Sequence, residues 1–225
     1  VTEPSHSRVD PRPSVQLAEF GAVAELLAAY AGQAADDVPG RPGAALSGYL
    51  RWSAAWPAQA ASAAGQLRRL MARLLNEPDT VPAMLTAALP VSRTGEPVDA
   101  QWADAVAEIL EHAVDAGFPP PGTPVTFWEW NRRFLALAQF LGCYFTQDFG
   151  DEFTDHDAAI AAWARTATPV DRARLSGEIG ELLALGLSDN DLNEALATLG
   201  MDVEPPLPAP AWLAHLDKTL NGSSG

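Results

Sequence analysis

From about residue 14 to residue 220 the apolar residues of this chain return in steps of three and four, and the alternation that a half-buried strand needs is missing. That spacing lays one apolar stripe along each of a series of helices, so the expected fold class is all-α. Leu17, Phe20, Ala24, Leu27 and Ala31 form the first stripe, on a helix expected over about 14–31. A second helix is expected near 42–56, carrying Leu46, Tyr49 and Trp52. Pro57 suits the first turn of a third, running to about residue 76, because its missing N–H would find no intrahelical partner there. Ala60, Ala64, Leu67, Leu70, Met71 and Leu74 make its face. A short helix near 79–89, and another from Asp99 to Ala116 stopped by Gly117, complete the first half.

The run FPPPGTPV at 118–125 reads as a linker. Past it, Thr126 and Glu129 mark a T-x-x-E capping box opening one long apolar helix to about Gln147. Helices near 155–167, from Thr168 to Gly186, from Ser188 to Gly200 and near 210–220 follow, and hydroxyl or acidic residues stand at the first three of these starts. The expected organisation is a flexible arm at 1–13, a first helical unit at 14–117, the linker, a second unit at 126–220 and a tail at 221–225.

The two halves resemble each other. Shifted by 114 positions, Phe20, Leu27, Tyr30, Gln33 and Asp37 fall on Phe134, Leu141, Tyr144, Gln147 and Asp151. Shifted by 110, Trp102 meets Trp212. The expected architecture is therefore two tandem units of about five helices each, fused into one elongated body. On this alignment Tyr144, Gln147 and Asp151, with Tyr30, Gln33 and Asp37, are read as turn-building residues, since Asp side chains readily bond nearby backbone.

What the second copy adds is charge. Asp148, Asp151, Glu152, Asp155 and Asp157 lie within ten residues that hold Phe149 and Phe153 but no Lys or Arg. Four of these acids face Ala34, Val38, Arg41 and Gly43 in the first copy. Over the whole chain, 29 acidic residues oppose 14 basic ones, for a net charge of −15. Such a body repels phosphate backbones and attracts basic proteins, so nucleic acid is not an expected partner. No apolar run is long enough for a membrane span and no signal-like segment opens the chain, so the expected location is the cytoplasm. The single cysteine, Cys143, lies in an apolar run and is expected to be buried.

The segment FLGCYFTQDFGDEFTDHDAAIAAWAR from Phe140, with the Trp-Leu pair at 212–213, resembles the small immunity proteins of contact-dependent growth inhibition systems. The family pattern is a tyrosine-phenylalanine-histidine-glutamine-aspartate run, and this chain has YFTQD at 144–148 with Thr146 in the histidine's place. The resemblance spans about 130–220 and is degraded in the first half, where AGQAA replaces FTQDF. It implies a cytoplasmic antidote without catalysis or cofactor, which binds one toxin domain and blocks it; the chain's negative charge adds the expectation that this domain has a basic surface. Many such toxins are nucleases, whose clefts are basic because their substrate is polyanionic. The residues expected to meet the toxin are Asp148, Phe149, Asp151, Glu152, Phe153, Asp155 and Asp157, with the acids steering association and the phenylalanines either anchoring the partner or turned into the core.

Two other functions are weighed against this one. A helical scaffold with a non-toxin partner would share the fold and the charge. A metal enzyme could draw on Asp148, Asp151, Glu152, Asp155 and His156, but their order fits neither a calcium loop nor H-E-x-x-H. His6, His112, His156 and His215 have no nucleophile context, and no glycine-rich phosphate loop occurs. No metal site or catalytic residue is therefore assigned.

Overall fold

The apolar spacing is carried through into helices along the chain. The protein is described by a computed structural model that covers residues 19–222, and among these twelve α-helices form and no strand. The expected arm at 1–13, Leu17 of the first stripe and residues 223–225 of the tail lie outside the described residues. The chain divides into two compact units, Val1–Pro121 and Gly122–Gly225.

In the first unit, α1 (Gly21–Ala29), α2 (Ala44–Ser53), α3 (Pro57–Asn76), a 3-10 turn (Pro78–Thr80), α4 (Ala83–Ala87) and α5 (Ala100–Ala116) follow in order. Pro57 stands in the first turn of α3, and that helix packs along α5 and α1. Phe20, Leu27, Leu46, Tyr49, Ala60, Ala64, Leu67, Leu70, Val106 and Leu110 are among the buried residues of this unit. Asp99 caps α5, accepting from the Trp102 N–H at 3.0 Å, and Gly117 ends the helix at φ 105°. The helix placed at 79–89 is instead a 3-10 turn followed by the short α4. Trp56 is 61% exposed.

The turn after α1 is built around a buried carboxylate. Tyr30 Oη donates to Asp37 Oδ2 at 2.7 Å, Trp102 Nε1 donates to the same oxygen at 3.1 Å, and the Gly43 N–H donates to Oδ1 at 2.7 Å. Asp37 is only 8% exposed, and these three donors offset the cost of taking its charge out of water. Burial, then the neighbouring Asp37 charge, push the Tyr30 phenol well above its ordinary pKa, so it remains a donor.

The second unit runs α6 (Phe127–Arg133), α7 (Leu135–Tyr144), α8 (Phe149–Glu152), α9 (His156–Thr166), α10 (Pro169–Ala184), α11 (Asp189–Thr198) and α12 (Ala209–Gly222). Helix α10 packs against α12 and α7, and α9 against α7. Phe134, Leu137, Phe140, Phe145, Ile160, Leu175, Ile179, Leu182, Trp212 and Leu216 belong to one continuous core. Thr168 and Asp171 form a reciprocal capping box, and Ser188 caps α11 through the Asp191 N–H.

Three expectations are corrected in this unit. The single helix placed over Thr126–Gln147 breaks at Phe134, whose φ of −118° and ψ of 50° leave the helical region. The amides that the break exposes are taken by a distant side chain: Glu178 of α10 accepts from Ala136 at 3.1 Å and from Leu137 at 2.8 Å. The Thr126 cap forms, but Glu129 accepts from the Val125 N–H at 3.0 Å, one residue before the position a capping box requires. Cys143 is exposed, because α7 buries Leu137, Phe140 and Leu141 and position 143 falls on the opposite side of a 3.6-residue turn.

Candidate functional site

Phe145 is the pivot on which the stretch from 144 to 157 is arranged. It is fully buried where α7 ends, and its ring meets Phe140 at 5.3 Å, Phe149 at 5.5 Å, His156 at 5.4 Å and Trp212 at 5.5 Å between centroids. An aromatic cluster of this kind adds geometric preference to apolar burial. Around it the chain turns through α8, a single helical turn, and re-enters α9 at Asp155, whose side chain accepts from the Ala158 N–H at 2.8 Å.

Phe149 and Phe153 are half-buried, packed against the core on one side and accessible on the other. Phe149 lies 4.8 Å from the His156 ring and 5.9 Å from Phe153, and Phe153 stacks on Tyr144 at 5.9 Å. The two roles weighed for them, core and contact surface, are therefore compatible in one position.

Asp148, Asp151, Glu152, Asp155 and Asp157 are all exposed, so the elbow presents its five carboxylates to solvent. Two of them also have structural partners: Asp155 is the α9 cap, and Asp157 Oδ1 lies 2.9 Å from His215 Nε2. Gln147 is exposed and Tyr144 half-buried. In the first unit, Tyr30 and Asp37 are hydrogen-bonded to each other, and Gln33 is half-buried beside them in sequence.

The aligned positions of the second unit are arranged differently. Asp151 is exposed, and Trp212 packs on Phe145 and, at 6.3 Å, on His156. Trp212 Nε1 and His156 Nε2 are buried without a hydrogen-bond partner among the described residues. The His156 ring does hydrogen-bond the backbone of Glu204. Burial holds its pKa below the ordinary value of 6.5, against that bond and the nearby charges of Asp155 and Asp157, which act upward.

The connection before α12 joins this surface in a way that sequence spacing did not indicate. The Asp202 N–H donates to the Phe145 carbonyl at 2.8 Å, and Asp202 and Glu204 are both exposed. Two more carboxylates therefore stand beside the elbow from a segment about 50 residues away in the chain, between the helices expected from Ser188 to Gly200 and near 210–220. Among the described residues, no group of three or more His, Cys, Asp or Glu side chains is placed to hold a metal ion, and no helix is long and apolar enough to cross a membrane.

The comparisons with known proteins fall on this unit. The pattern of the CdiI immunity protein family matches residues 133–220. One chain of a crystal structure of a CdiA-CT/CdiI complex from Y. kristensenii 33638 is 35% identical over 40% of this chain and 96% of its own length, with a TM-score of 0.39. No curated protein matches. The sequence identity over nearly the whole of that relative, together with the family pattern over the same unit, carries the assignment. Through its second unit, the chain belongs to the CdiI immunity protein family.

Proposed function

We propose that the chain is an immunity protein that binds the toxin domain of a contact-dependent growth inhibition system and neutralises it by contact alone. The 35% identity to a chain solved in a CdiA-CT/CdiI complex is the observation that carries this reading. The binding surface is the elbow: Asp148, Asp151, Glu152, Asp155 and Asp157 supply negative potential, and Phe149 and Phe153 supply apolar area held in place by the core behind them. Exposed charges act mainly on the association rate and on choice of partner, whereas desolvated aromatic anchors usually carry more of the affinity.

A toxin complementary to such a surface is basic where it is bound. A nuclease fits that description, since its cleft must attract phosphates. A carboxylate-rich elbow seated over such a cleft competes with the substrate's phosphates and needs no chemistry of its own. The chain acts in the cytoplasm, where an incoming toxin domain meets its target.

The test is co-expression of the full chain with a cognate CdiA-CT domain. Restored growth and a co-purifying complex are the expected results. Unrelieved toxicity with no complex at micromolar concentrations would count decisively against the proposal.

A further inference from the structure

Beside the elbow, the 202–208 segment and α11 enclose an open groove of about 620 Å³. Its floor includes Leu196, Met201 and Ala209, all buried, and its rim carries the exposed residues Asp202, Glu204 and Leu207. None of the residues lining it is basic. We infer that this groove is a second part of the toxin-binding surface, and that it receives an apolar side chain flanked by Lys or Arg on the toxin domain. The inference rests on the reading of the chain as a toxin-binding immunity protein and adds to it the location and chemistry of a specificity pocket.

Charge complementarity and preorganisation carry the argument. The exposed Leu207 and proline rings beside two exposed carboxylates suit an apolar side chain with cationic neighbours, and they disfavour an acidic segment by repulsion. Pro205, Pro206 and Pro208 restrict the backbone of the rim, so little freedom remains to be lost when a partner docks. The segment is also tied down at its start, where the Asp202 N–H bonds Phe145 at 2.8 Å and the Met201 N–H bonds Leu196 at 3.0 Å. The first of those bonds joins the groove to the aromatic pivot of the elbow, making the two acidic surfaces neighbours. A partner engaging the elbow therefore finds the groove within reach.

The experiment measures binding of the full chain to its cognate CdiA-CT domain, by calorimetry at low and high salt. Ala197 is exposed on α11 and lines the groove, so Ala197→Trp fills the groove from the solvent side with the core untouched. Asp202→Lys reverses one rim charge, and Asp151→Lys serves as the elbow variant. Far-UV circular dichroism and melting temperature establish that each variant is folded.

The expected result is a loss of about tenfold or more in affinity for both groove variants. The Asp202→Lys deficit should shrink at high salt, and the Ala197→Trp deficit should persist. Wild-type affinity in a folded Ala197→Trp protein overturns the inference. If Asp151→Lys is impaired at the same time, toxin binding through the elbow still stands. If the wild-type chain itself does not bind, the functional reading falls and this inference falls with it.

Discussion

The carboxylate of Glu178 accepts a hydrogen bond from the backbone of Leu137 at 2.8 Å, and one from Ala136 at 3.1 Å, from the far side of the second unit's core. It caps a helix to which it does not belong. The arrangement lets α6 and α7 break at Phe134 without leaving the first amides of α7 unpaired. Replacing Glu178 with Ala should cost about 1–3 kcal/mol in urea denaturation of the full chain, the usual penalty for orphaned buried amides. Glu178→Gln, which keeps an acceptor, should cost less.

The same residue predicts a pH dependence. Burial raises the pKa of Glu178, against the two backbone bonds and Arg174, which lower it. A carboxyl with a raised folded pKa binds its proton more tightly in the folded state. Its contribution is then fully present below the unfolded pKa and is lost as pH rises through the folded one. Comparison of wild type with Glu178→Gln between pH 4 and 7 should isolate that slope, which the variant lacks.

His156 works in the opposite direction. Its pKa is lowered from 6.5, chiefly by burial, so the folded state resists protonation. Its contribution is present above the unfolded value and is lost as pH falls through the window beneath it. NMR titration of the ring should give a midpoint below 6.5, and a midpoint above it would contradict the packing described around Phe145 and Trp212.

In the first unit, Asp37 gathers Tyr30, Trp102 and the Gly43 backbone. Asp37→Ala strands three donors in a buried site and should cost about 2–4 kcal/mol in the denaturation of the full chain. Asp37→Asn keeps one acceptor oxygen but turns an N–H₂ toward at least one donor, so it should also destabilise. Trp102→Phe removes one of the donors and some buried ring volume but leaves Tyr30 and the Gly43 N–H paired, so it should cost less than Asp37→Ala.

Gly200 combines a φ of 99° with a close approach, since a Cβ there would lie 3.1 Å from the Cα of Gly142. Gly200→Ala should destabilise by about 1–3 kcal/mol through strain and lost packing. Thermal melting of the variant checks this, and an unchanged midpoint would exclude a tight contact between that turn and α7.

Much of the fold was legible because the signals were local. Pro57, Asp99, Gly117, Thr168 and Ser188 act on the helix ends nearest to them, and helical spacing alone identified Leu67 and Leu70 as core. The break at Phe134 was hidden because its cap, Glu178, lies over 40 residues away. Apolar neighbours made Cys143 look buried, though the helical face it occupies points outward. At the site, the five elbow acids and the two phenylalanines could be picked out from composition within ten residues. Asp202 and Glu204 could not, because a backbone hydrogen bond to Phe145, rather than any sequence pattern, brings them alongside.

The most direct test of toxin binding through the elbow is the affinity of the full chain for its cognate CdiA-CT domain, before and after combined Asp148→Lys, Asp151→Lys and Glu152→Lys substitution. None of these three side chains caps a long helix or joins an ion pair described above, so the fold should survive, as circular dichroism can verify. The account predicts a loss of about a hundredfold or more, carried largely by a slower association rate and reduced at high salt. Affinity within about twofold of wild type for a folded triple variant would contradict it.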